Sequence, residues 1–123
     1  MSAPPRQPFE AALPALSQFD FHARLEDTAG PALVAFTSPA CGGCRHLRRV
    51  LQEVRRLQPG WHLFEVDAQR DQALVSEFEV FHLPTVFLFS DGEFHCELQA
   101  EARPGAIVEA TVAALQHPAR EAP

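Results

Sequence analysis

The apolar run Ala32–Phe36, followed directly by an amphipathic segment, limits the possible folds of this chain more than any other feature. The run is bounded by Pro31 and by Ser38-Pro39, and its length and composition predict a strand buried on both faces of a sheet. From about Cys41 to Leu57, apolar residues recur at intervals of three and four, which predicts a helix with one apolar face. A buried strand that leads straight into such a helix indicates a βαβ unit with a right-handed crossover.

The rest of the chain continues this alternation of strands and helices. Further elements are predicted as a short strand or turn near Leu16–Phe19, a helix over Phe21–Asp27 with Asp20 as its N-cap, a strand over Trp61–Asp67, a helix over Asp71–Phe78, a strand over Leu83–Phe89, a hairpin turn at Ser90–Glu93, a return strand over Phe94–Leu98 and a helix from about Pro104 to Leu115. All ten phenylalanines are predicted to be core residues that supply most of its aromatic volume. We therefore predict an α/β fold with a mixed central sheet of four to five strands and helices on both faces.

Length and composition fit one globular domain. The chain has 123 residues, of which 46% are hydrophobic, and a fold of this size buries about two-thirds of the surface that its unfolded chain exposes. Both ends are rich in proline and polar residues. We therefore predict flexible tails over residues 1–12 and 118–123, with a folded domain over residues 13–117.

Charge and hydropathy narrow the classes of partner. The formal net charge is −6 and every basic residue is an arginine, so nucleic acid is not expected as a partner. The N-terminus lacks the apolar segment of a secretory signal, and the longest apolar runs are too short to cross a bilayer. We therefore expect a cytoplasmic monomer that does not bind a membrane.

The sequence Cys41-Gly42-Gly43-Cys44 begins the predicted helix that follows the buried strand. Two residues between the cysteines, on a first helical turn, allow the sulfurs to form a disulfide. Free backbone N–H groups and the positive end of the helix dipole favour a thiolate at the first cysteine. We therefore predict that Cys41 is the nucleophile and that Cys44 is the resolving thiol, which attacks the mixed disulfide with a substrate.

Zinc binding through Cys41, Cys44 and Cys96 is the alternative interpretation of these thiols. A zinc site normally has four ligands in tetrahedral geometry, and here a fourth would have to come from far along the chain. The strand–dithiol–helix order favours redox chemistry instead, which needs neither a metal nor a bound organic cofactor.

With these features in place, the segment from about Leu16 to Leu115 resembles the thioredoxin family. The matching stretches are Leu33–Phe36 with the dithiol that follows it, Phe64–Asp67, Phe81–Thr85 and Phe87–Glu93. The resemblance implies a thioredoxin fold in which Pro84 is a cis-proline facing the dithiol, while Leu83 presents its backbone to a substrate strand. It also implies a protein-disulfide oxidoreductase in cell redox homeostasis, which receives electrons from a thioredoxin-reductase-type protein or a small thiol.

The chain departs from the family pattern around the dithiol. Ala40 stands where the family carries tryptophan, and Gly43 stands where it carries proline, so the apolar rim shrinks and the loop loses rigidity. The alternative function that these losses leave open is a thioredoxin-fold docking module with weak or no redox catalysis.

The arginines of the predicted helix could bind an acidic partner, although a solvated helix face is the simpler interpretation.

A second departure concerns proton transfer. Ala35 stands where the family has a buried carboxylate that is thought to help deprotonate the resolving thiol. Glu65 and Asp67 lie two residues apart on the neighbouring predicted strand, so they share one face and either could replace that acid. The simpler alternative is that Asp67 caps the strand end and Glu65 is partly solvated.

Overall fold

The computed structural model describes residues 13–123, and the N-terminal tail predicted over residues 1–12 lies outside them. The strands and helices of this part of the chain are β1 (Ala15–Leu16), α1 (Phe21–Glu26), β2 (Pro31–Thr37), α2 (Gly42–Leu57), β3 (His62–Asp67), α3 (Gln72–Glu77), β4 (Thr85–Ser90), β5 (Glu93–Glu97) and α4 (Pro104–Leu115). Within residues 13–123, no helix is both long and apolar enough to cross a membrane.

The strands form one five-stranded sheet in the order β1-β3-β2-β4-β5. β1, β3 and β2 are parallel, whereas β4 runs antiparallel to β2 and β5 antiparallel to β4. The mixed sheet confirms the predicted α/β class. The central place of β2 follows from its apolar sequence, since a strand with neighbours on both sides and helices above and below has no exposed face.

Alternate residues of β2 point into two separate cores. Leu33 and Ala35 pack with the apolar residues of α2 and α4 on one face, and Val34 and Phe36 pack with α1 and α3 on the other. This arrangement confirms helices on both faces. It also places the start of α2 directly above the end of β2, because only residues 38–41 connect the two elements.

Not all phenylalanines join the core, and on this point the prediction was wrong. Phe21, Phe36, Phe78, Phe87 and Phe89 are buried in the face that carries α1 and α3. By contrast, Phe19 and Phe81 are 88% and 87% exposed. Both lie in connections between elements, where the backbone turns their side chains away from the sheet.

Asp20 occupies the predicted N-cap position of α1 but does not cap the helix with its side chain. Its Oδ1 atom instead accepts a hydrogen bond from the backbone N–H of Ser17 at 2.7 Å. This bond lowers the pKa of the Asp20 carboxyl group. The carboxylate therefore stabilises the turn that separates β1 from α1, and β1 is shorter than predicted.

Gly92 does more than shape the β4–β5 turn. Its φ of +84° follows the positive φ of Asp91, a conformation typical of tight hairpins. A Cβ atom at this position would lie only 2.8 Å from the carbonyl oxygen of Leu25 at the end of α1. Glycine thus permits the close approach of the hairpin to this helix.

The C-terminal residues run beside β5. The backbone N–H of Arg120 donates a hydrogen bond to the carbonyl oxygen of His95 at 2.7 Å. The flexibility expected for residues 118–123 stays a prediction.

Candidate active site

The dithiol and Pro84 lie at one edge of the sheet because of the strand directions. β2 ends at Thr37, shortly before Cys41, and its residue Phe36 pairs with Thr85, the first residue of β4. Since β4 runs antiparallel to β2, the segment that precedes β4 comes to the edge at which β2 ends. Cys44 and Pro84, which are 40 residues apart in the sequence, are therefore brought to the same end of the sheet.

Cys41 and Cys44 are joined by a disulfide, with their Cα atoms 5.2 Å apart. Cys41 is the N-cap residue of α2 and is partly exposed, whereas Cys44 is completely buried in the first helical turn. The backbone N–H of Cys44 donates a hydrogen bond to Sγ of Cys41 at 3.1 Å. A backbone donor and the helix N-terminus both favour negative charge on this sulfur, the one that a substrate can reach.

The Leu83–Pro84 peptide bond is cis, as the resemblance implies. A Cβ atom on Gly43 would lie 3.7 Å from Cδ of Pro84, so the dithiol loop and the proline face each other at van der Waals distance. Among the residues described, neither backbone polar group of Leu83 has a protein hydrogen-bond partner. Such groups can pair with an extended chain laid across this edge.

A groove begins where the dithiol loop meets Pro84. It has a volume of about 330 Å³ and includes Gly43, Pro84 and the imidazoles of His46 and His82 in its lining. Its floor is formed by apolar side chains of the core that carries α2 and α4, and the one carboxylate that the described residues place in its lining belongs to Glu97. Nε2 of His46 lies 3.1 Å from the carbonyl oxygen of Ala102, which positions this ring at the side of the groove.

Glu65 lies beside Ala35 in the sheet, since the two residues are register partners on β3 and β2. Its carboxylate accepts hydrogen bonds from Nε and Nη2 of Arg48 at 2.9 and 2.6 Å, and another from the Thr37 hydroxyl. Both charged side chains are largely shielded from solvent, with exposed fractions of 16% for Glu65 and 27% for Arg48. The hydrogen bonds to Glu65 raise the pKa of Arg48.

The sequence indicates Glu65 as a candidate site residue but does not indicate its hydrogen-bond partners. Arg48 precedes it by 17 residues, and its pairing with Glu65 depends on how α2 packs on β3. One feature of the sequence does point to Arg48 as a residue near the site. It follows Cys44 by four residues and so lies one helical turn beyond the buried cysteine.

The Asp67 carboxylate accepts hydrogen bonds from the backbone rather than from an arginine side chain. Its Oδ1 atom accepts hydrogen bonds from the backbone N–H groups of Gln69 at 2.9 Å and Arg70 at 3.3 Å. The carboxylate therefore caps the turn that follows β3, which is the structural role that the sequence offered as the alternative to proton transfer.

Cys96 lies on β5 opposite Leu88 and is not bonded to another cysteine. Partial burial raises the pKa of its thiol. Over residues 13–123, no three or more side chains of His, Cys, Asp or Glu come together as a metal site would require. The zinc set of Cys41, Cys44 and Cys96 is thus not assembled in this arrangement.

The fold, together with the dithiol and Pro84 at one end of the sheet, defines a class of protein. A reachable sulfur at a helix N-terminus, bonded to a buried sulfur one turn later and facing a proline loop, forms a dithiol–disulfide exchange site. The thioredoxin family model matches residues 12–114, and the chain belongs to that family. It is accordingly a thiol–disulfide oxidoreductase.

Individual relatives agree with this assignment. The thioredoxin of Mycoplasmoides gallisepticum is 31% identical over 70 residues, which cover 57% of this chain and 70% of that protein. The chloroplastic thioredoxin X of Arabidopsis thaliana is 27% identical over 96 residues, covering 77% of this chain and 51% of that protein. Oxidised mitochondrial thioredoxin 3 of Saccharomyces cerevisiae superposes with a TM-score of 0.72 at 20% identity, over 82% of this chain and 94% of that one, and so supports the fold.

Proposed function

We propose that this protein is a protein-disulfide reductase. The observation that carries the proposal is the pairing of a reachable sulfur on Cys41, at the N-terminus of α2, with a fully buried sulfur on Cys44. In the reduced protein, the Cys41 thiolate attacks a substrate disulfide, which forms a mixed disulfide and releases one substrate thiolate. Cys44 then attacks Sγ of Cys41, so that the second substrate thiol leaves and the two cysteines become oxidised.

Substrate binding is assigned to the segment that faces the dithiol. The backbone N–H and C=O of Leu83, which have no hydrogen-bond partner within residues 13–123, provide one donor and one acceptor for an extended substrate strand. Pro84 provides the apolar contact opposite Gly43. The substrates are therefore protein disulfides in segments that can adopt an extended conformation.

The cellular role follows from this chemistry as part of the same proposal. The dithiol passes two electrons to each substrate, so another reductant must restore it, either a thioredoxin-reductase-type protein or a small thiol. The cytoplasm keeps thiols reduced. We place the protein there, as a monomer that transports electrons in cell redox homeostasis.

A redox titration of the Cys41–Cys44 pair tests this function. The protein is equilibrated with thiol–disulfide buffers of defined potential, alkylated and weighed by mass spectrometry. A reductase should have a midpoint near the thioredoxin value of about −270 mV, whereas about −200 mV or higher would assign an oxidising or glutathione-range exchanger. A folded protein whose pair never cycles would instead be the docking module.

Glu65 is the better placed of the two candidate proton-transfer residues, since it adjoins Ala35 while Asp67 caps a turn. A positioned general base contributes roughly a hundredfold or more to a rate. We therefore expect Glu65→Gln to slow the resolving step at least about tenfold, as measured by the decay of the mixed disulfide in rapid acid-quench experiments. Glu109→Gln, at an exposed position on α4 away from the groove, is the control, and a resolving rate that is unchanged in Glu65→Gln would end the assignment.

A further inference from the structure

Two arginines near the start of α2, Arg45 and Arg49, form no ion pair with any other described residue. In the part of the chain that the structure describes, five other arginines pair with carboxylates within 4 Å: Arg24, Arg48, Arg56, Arg70 and Arg103. Arg45 and Arg49 are exposed and have no such partner among these residues. In a chain with a net charge of −6, this local excess of positive charge at the exchange site is unusual.

Helix geometry places Arg45 and Arg49 on one exposed face of α2, which begins beside the dithiol. Arg45 and Arg49 are four residues apart and therefore lie on the same helix face. With a rise of about 1.5 Å per residue, the Arg45 Cα lies roughly 6 Å along the axis from that of Cys41, within the reach of a long side chain. α2 contains no carboxylate before Glu53.

Helix stability does not explain the position of Arg45. Positive charge near a helix N-terminus is unfavourable because it adds to the positive end of the dipole. Neither arginine forms an ion pair within residues 13–123, so both guanidinium groups are available to a molecule outside the fold. The groove along the neighbouring face of α2 carries the imidazoles of His46 and His82 and, among residues 13–123, a single carboxylate, that of Glu97.

We propose that Arg45 and Arg49 select protein disulfides flanked by aspartate or glutamate. This inference rests on the proposed function and names its substrate class. Complementary charge raises the rate of encounter and penalises the wrong partner, and both effects weaken as salt screens the charges. Acidic substrates are thus reduced faster than neutral ones, and basic substrates more slowly.

The test uses three synthetic disulfide peptides that differ only in flanking residues, which are acidic, amide or basic. Second-order rate constants are measured with the reduced protein at low and high salt. Each is divided by the rate constant of the same peptide with dithiothreitol, which removes the peptides' own differences in reactivity. At low salt we expect the acidic-to-neutral ratio to be at least about five, and to approach one at high salt.

The double variant Arg45→Gln/Arg49→Gln should abolish this ratio. Because the comparison is between two substrates of one protein, any effect of the arginines on the Cys41 thiolate cancels. Arg55→Gln is the matched control, since Arg55 is also exposed and unpaired within residues 13–123 but lies about 15 Å along α2 from Arg45 and about 9 Å from Arg49.

Two results would overturn the inference while leaving the proposed function intact. One is reduction of all three peptides with ratios near one, and the other is an equal loss of discrimination in Arg55→Gln. If none of the peptides is reduced by the folded protein, the proposed function and the substrate preference both fail.

Discussion

Cys44→Ser is expected to stop the exchange at the mixed disulfide. Cys41 keeps its position at the N-terminus of α2 and still attacks, but no second thiol follows one turn later to release the substrate. Cys41→Ser removes the sulfur that substrates reach, so disulfide reduction should fall by about three orders of magnitude or more, because a serine hydroxyl does not become the nucleophile. Intact-protein mass spectrometry detects the adduct, and a turnover assay measures the loss.

Cys96→Ser is the control for the two active-site variants. Cys96 lies on β5, is half-buried and takes no part in the disulfide, so its replacement should leave the turnover rate within about twofold. Native turnover in Cys44→Ser would contradict the resolving role of Cys44. A comparable loss of activity in Cys96→Ser would show that the third thiol takes part in the reaction.

Phe21→Ala is expected to lower the free energy of unfolding by about 3–5 kcal/mol, the usual cost of emptying a buried phenylalanine site. The Phe21 ring is fully buried, and its centroid lies 5.3 Å from that of Phe78 and 5.8 Å from that of Phe89. α1 has only six residues, and Phe21 and Leu25 are its two buried side chains, so its stability depends on packing against the core. Urea unfolding of the oxidised protein, monitored by circular dichroism, measures the change.

Phe19→Ala provides a matched control two residues earlier. Phe19 is 88% exposed, so the same substitution should change the free energy of unfolding by no more than about 0.5 kcal/mol. Equal losses in the two variants would mean that the aromatic cluster around Phe21 does not anchor α1.

Much of the fold was predictable because its signals are local. The apolar run that became β2, the three- and four-residue spacing of α2 and the Asp91-Gly92 turn each depend on residues close in sequence. Element ends were less predictable. The strand predicted from Leu83 begins at Thr85 instead, because Pro84 has no N–H to donate to a neighbouring strand.

The partners of the site residues were not predictable in the same way. The sequence marks Glu65 as an acid on a strand, but its ion pair with Arg48 depends on the docking of α2 against β3. The exposure of Phe81 likewise depends on the path of the loop between α3 and β4, although its apolar character suggested burial.

The sequence by itself determined the order of strands and helices, the placement of Cys41 and Cys44 on one helical turn and the accessible start of that helix. These features follow from periodicity and from spacings of three or four residues. The family resemblance already implied that Pro84 faces the dithiol. Only the tertiary structure decided that Glu65 is paired with Arg48 and that Arg45 and Arg49 have no carboxylate partner within residues 13–123. Such contacts join residues far apart in the chain, and the free energy that selects them comes from packing the whole sheet between its helices.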